Sequence, residues 1–107
     1  MALSLDAAAT LAASPAWIGK IKVATHRAAT QIATQILATN PPYSNRQRAM
    51  VVKCRQVLQN IDDYGPSLAL MLAADTVLDQ TNGTDADIVA RIIALWPNIS
   101  EIGFGVD

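Results

Sequence analysis

Few side chains in this sequence are of a type that does chemistry, and they are scattered. His26 is the only histidine and Cys54 the only cysteine among 107 residues. A Cys54–His26 dyad needs a third group to orient the base, and nothing supplies one. His26, beside Arg27, reads as a partly solvated helix residue; Cys54 sits on an apolar stripe and reads as a small packed hydrophobe. Asp62 and Asp63 are adjacent, so their carboxylates point differently and make a poor acid/base or metal pair. Asp85 and Asp87 follow Thr84 and read as acids at the positive end of a helix. One cysteine allows neither an intrachain disulfide nor a cysteine zinc site. The turn Asn82-Gly83-Thr84-Asp85 lacks a phosphate-loop sequence. The chain therefore reads as a protein that is not an enzyme, with no catalytic, cofactor-binding or metal-binding residues and no cofactor.

Charge is the feature that stands out. The net charge is only −1, yet the two signs are separated along the chain. Residues 1–60 carry Lys20, Lys22, Arg27, Arg46, Arg48, Lys53 and Arg55 against Asp6 alone. Residues 61–107 carry Arg91 against Asp62, Asp63, Asp75, Asp79, Asp85, Asp87, Glu101 and Asp107. Either the halves neutralise each other within one molecule, or a basic face meets the acidic face of the next copy. The second arrangement is head-to-tail, which generates rings or filaments. It makes Lys20, Lys22, Arg27, Arg46 and Arg48 on one subunit, and Asp62, Asp63, Asp75 and Asp79 on the next, candidate interface residues.

These residues need elements to hold them, and the periodicity is helical. Ser14 and Pro15 open the longest helix, with Ser14 as N-cap and Pro15 in the first turn; Pro41 and Pro42 stop it. Ile18, Ile21, Thr25, Ala28, Ile32 and Ile36 give it one apolar face. Gly19 within it implies either an irregular first turn or a close neighbour. Ser44 caps a second helix, about 45–60, with Met50, Cys54, Val57 and Ile61 inward and Lys53 outward. A break is expected at Asp62–Pro66, because Gly65 and Pro66 are strong punctuation. A third helix follows from about Ser67 to Asp79, apolar on most sides, which suits burial against a second subunit. Thr84 caps a fourth, with Ile88, Val89, Ile92, Ile93 and Trp96 inward, and Pro97 ends it. Ser4 caps a short segment that packs on the domain or serves as an arm.

The expected fold is all-α: a single domain, 1–107, of about four helices around a long central helix. Residues 1–13 are a possible N-terminal arm, and 98–107 an extended docking tail carrying Ile99, Ile102, Phe104 and Val106. Apolar residues make up 51% of the chain, too many for disorder. Aromatics make up only 5%, so Ile, Leu, Val and Ala must build the core. The N-terminus lacks the basic region of a secretion signal, and the uncharged stretch 64–74 is too short to span a bilayer.

The layout resembles the small all-helical structural proteins of tailed bacteriophages. The likeness is carried by Asp6-Ala-Ala-Ala-Thr-Leu-Ala, by Ser14-Pro-Ala-Trp-Ile-Gly-Lys-Ile-Lys-Val-Ala, by Arg46-Gln-Arg-Ala-Met through Val57-Leu58, and by Asp85-Ala-Asp-Ile-Val through Leu95-Trp96. It is a likeness of layout and length, without a diagnostic motif. It implies a subunit of a ring-forming head–tail connector, or adaptor, assembled in the host cytoplasm and located in the virion. Its partners would be copies of itself and the portal and tail proteins, with no membrane, and nucleic acid only if the ring lines a DNA channel. Two alternatives stay open: a small nucleic-acid-binding regulator using the second helix, and a monomeric interaction module or assembly chaperone.

Overall fold

In a computed structural model, residues 3–101 are described, and 75% of these described residues are helical, with no strand among them. Five helices follow one another: α1 (Leu5–Ala12), α2 (Pro15–Leu37), α3 (Asn45–Gln59), α4 (Ile61–Ala73) and α5 (Asp85–Ile99). The first segment is thus a helix of its own, capped by Ser4, and it packs on α4 with Ala8 buried.

The helix starts are set by local chemistry. Ser14 accepts a hydrogen bond from the Trp17 N–H, and Ser44 and Thr84 each form a reciprocal capping box, with Gln47 and Asp87 respectively. Central α2 packs against α3, α4 and α5, and buries Trp17, Ile21, Ala24, Thr25, Ala28, Ala29 and Ile32. Its small side chains let the neighbours approach closely. Gly19 belongs to a regular stretch of α2, and a Cβ there would meet nothing within 4 Å. The irregular turn or close neighbour expected at that position is absent.

Two prolines behave differently from the sequence expectation. No break occurs at Asp62–Pro66. The break falls at Asn60, and α4 runs through Gly65 and Pro66. An interior proline costs about 3 kcal/mol. Tyr64 and Leu68, on either side of it, are both fully buried. Such side chains are worth roughly 1.5–3 kcal/mol each, enough to hold the helix. Pro66 and Asp62, the residue whose carbonyl loses its helical partner, are both exposed. Pro97 likewise lies inside α5, which continues to Ile99 because Trp96 and Ile99 are both core residues. Ile99 is therefore a packed helix residue rather than part of an extended tail. Ile102, Phe104 and Val106 lie outside the described residues.

The third helix also ends early, at Ala73 rather than Asp79. The Asp75 carboxylate takes the N–H groups of Val77 and Leu78 at 2.8 and 2.7 Å, which offers the backbone a turn in place of another helical step. Gln80 then closes the helix end, its Nε2 donating to the carbonyls of Leu72, Ala73 and Asp75. Val77 is left exposed, and so is Leu70 within α4. The helix is thus buried on one side only.

Lys53 was expected to face water and does not. It is 8% exposed, with its Nζ 5.5 Å from the centre of the Tyr64 ring. The aliphatic stem packs while the ammonium finds an aromatic face.

Candidate functional site

The molecule measures 45 × 26 × 19 Å, and α2 is its longest helix, at 23 residues. Two tryptophans fix what lies at each end. Trp17, near the start of α2, donates from Nε1 to the Ala69 carbonyl on α4 at 2.9 Å. Trp96 of α5 donates to the Met50 carbonyl on α3 at 3.2 Å. Lys20 lies 3.8 Å from Asp85 at the start of α5, so α5 begins beside the start of α2. The segment 75–87, with Asp75, Asp79, Asp85 and Asp87, is therefore at the α1/α4 end. Arg46 and Arg48 open α3 at the other end, where Tyr43 donates to the Leu37 carbonyl. Glu101, after α5, is the acid on that side among the described residues.

The acids mostly have local work. Asp75 holds Arg91 Nε with both oxygens, at 3.0 and 3.1 Å, besides its two backbone N–H groups. Burial pushes its carboxyl up, but Arg91 and those N–H groups outweigh burial and leave it below the usual carboxylate range. Asp79 accepts from the N–H groups of Asn82 and Thr81, which lower its carboxyl too. Asp62 meets Lys22 at 3.0 Å. Of the candidate interface residues, Lys22 and Asp62 thus pair within one chain, Lys20 lies near Asp85, and Asp75 and Asp79 are engaged in the turn. Arg27, Arg46, Arg48 and Asp63 have no ion-pair partner among the described residues; Arg48 bonds the Asn45 side chain. Arg55, which the charge reading left out of the interface set, is also exposed and without an acid there.

On the open side of the α2–α3 hairpin, Ala33, Leu37, Val51 and Leu58 line a groove with Arg55 at its α3 rim. It continues toward the turn past Ile36, Tyr43, Arg48 and Val52. Leu37 and Val52 are 58% and 54% exposed. Their apolar character was visible in the sequence; their exposure was not, because it depends on which faces α4 and α5 cover.

The residues considered for catalysis are not brought together in any working arrangement. Cys54 is buried, and burial pushes its thiol up to about 11, far from a nucleophile's range. His26 is exposed on α2. No three His, Cys, Asp or Glu side chains gather as a metal site among the described residues. No helix of the described residues is long and apolar enough to cross a membrane. No family model, curated protein or solved structure matches this chain.

Proposed function

We propose that this protein is a structural assembly subunit of a virion, working as a ring-forming head–tail connector between portal and tail. The observation that carries the reading is the open side of the α2–α3 hairpin. There Leu37 and Val52 are exposed beside Arg48 and Arg55, cations without acid partners among the described residues. Such a surface suits a protein partner that is apolar and acidic. A two-fold contact through this face would set the arginines against themselves, whereas a head-to-tail contact brings unlike charges together and closes into rings or runs on as filaments. The next copy can offer Asp63 and Glu101, both exposed. Exposed ion pairs contribute only about 0–1 kcal/mol each, so they set orientation. Apolar burial, at about 25 cal/mol per Å², supplies most of the affinity.

The test is solution mass by light scattering at low and high salt, followed by negative-stain electron microscopy. Salt-sensitive oligomers that form closed rings are the expected result. A monomer at every salt removes self-assembly, and filaments without rings remove the connector geometry. The same unpartnered arginines on α3 favour one second reading, contact with DNA phosphates. A salt-sensitive shift of duplex DNA that Arg46→Ala and Arg48→Ala abolish would select it.

A further inference from the structure

We infer that the α2–α3 groove receives the segment Glu101–Asp107 of a second copy of this chain. This rests on the assembly reading above and names the occupant of that site.

The groove is apolar along its floor, at Ala33, Leu37, Val51 and Leu58, and its α3 rim is cationic. On α2 the side chains beside it are small, Ala29, Thr30, Ala33 and Thr34, which leaves room for bulky apolar groups. The segment Glu101-Ile-Gly-Phe-Gly-Val-Asp107 has the complementary composition. Ile102, Phe104 and Val106 alternate with Gly103 and Gly105. In an extended chain the three apolar side chains share one face, and glycines let that backbone approach a helix closely. Acids bracket the apolar run, as Arg48 and Arg55 bracket the groove. The two arginines stand two helical turns apart, about 10 Å. Seven residues in an extended chain reach about 20 Å at most, a difference that two long arginine side chains can bridge.

The position of α5 argues for a second copy over the segment's own groove. Trp96 and Ile99 are buried in the core. Thr30, Thr34 and Leu37 are exposed and lie off the buried stripe of Ile21, Thr25, Ala28 and Ile32. A chain leaving α5 at Glu101 would have to wrap around the hairpin to enter its own groove, whereas a neighbour's groove needs no such detour.

The test is disulfide trapping in full-length protein carrying Cys54→Ala. One protein carries Val52→Cys, another Val106→Cys, and a third both. Val52 is exposed, and circular dichroism checks that each variant is folded. Mild oxidation of the first two, mixed, is expected to give a mixed disulfide dimer, identified by mass spectrometry. Arg48→Glu with Arg55→Glu is expected to lower its yield about tenfold, as reversal of two exposed ion pairs implies. A bridge formed only within single chains of the doubly substituted protein overturns the assignment to a second copy. No bridge, in a protein that light scattering still reports as assembled, overturns the groove assignment and leaves the assembly reading standing. A monomer at every salt overturns both.

Discussion

The two ends of this molecule use charge in opposite ways. At the α1/α4 end the acids build the fold: Asp75 shapes the turn and holds Arg91, Asp79 closes the next turn, and Asp87 completes the cap of α5. On the α2–α3 hairpin the lysines find partners, Lys22 with Asp62 and Lys53 over the Tyr64 ring, but the arginines build little. Arg46 and Arg55 make no side-chain hydrogen bond or ion pair among the described residues, and Arg48 bonds only its helix neighbour Asn45. A charge split that looks symmetrical along the sequence is therefore unsymmetrical in what it does. Acids close to backbone N–H groups act within the chain, while the arginines remain available to something else.

The comparison can be broken from either side. The largest effect is expected where the hairpin meets the core: Trp96→Ala should cost about 3–5 kcal/mol, as truncation of a fully buried tryptophan does, read by urea denaturation. At the acid end, Asp75→Asn should cost about 1–3 kcal/mol, because Arg91 and the turn lose a charged acceptor. The folded carboxyl lies below its unfolded value, so its contribution is complete above about pH 4 and disappears as pH falls through the folded value. The stability gap between Asp75→Asn and the parent should therefore close on acidification; a gap independent of pH would remove the charge from the argument. Gly83→Ala should cost about 1–2 kcal/mol, since its Cβ would collide with the Asp79 backbone carbonyl. The smallest effect is expected on the hairpin: Arg48→Glu with Arg55→Glu should leave thermal stability within about 0.5 kcal/mol while self-association weakens about tenfold. A large loss of stability there would mean that these arginines serve the fold after all.

Four helix starts were legible in the sequence, because a cap is a contact over three residues; the start of α4 was not, since it begins at Ile61 rather than Ser67, after an Asn60 that makes no side-chain cap. Ser4, Ser14, Ser44 and Thr84 all act where their local pattern places them. The ends were harder to read. Pro66 and Pro97 carry a local cost that burial of Tyr64, Leu68, Trp96 and Ile99 overrides, and that burial is a property of the assembled core. The cap that Gln80 places on α4 reaches back five to eight residues across a turn, beyond any local signal. For the surface, the separation of charge was legible. Which charges remain free was not, since Lys22 finds Asp62 across 40 positions and Arg91 finds Asp75 across 16.

The two tryptophans have a further use. Each indole is buried and hydrogen-bonded to a backbone carbonyl, Trp17 at one end of α2 and Trp96 toward the other. The chain thus carries a natural optical probe for each half of its central helix. With Trp17→Phe and Trp96→Phe variants, emission reports one half at a time. Superimposable melting curves would make the bundle a single cooperative unit. Separate curves would make it two, with α2 as the strut that one half can release while the other holds.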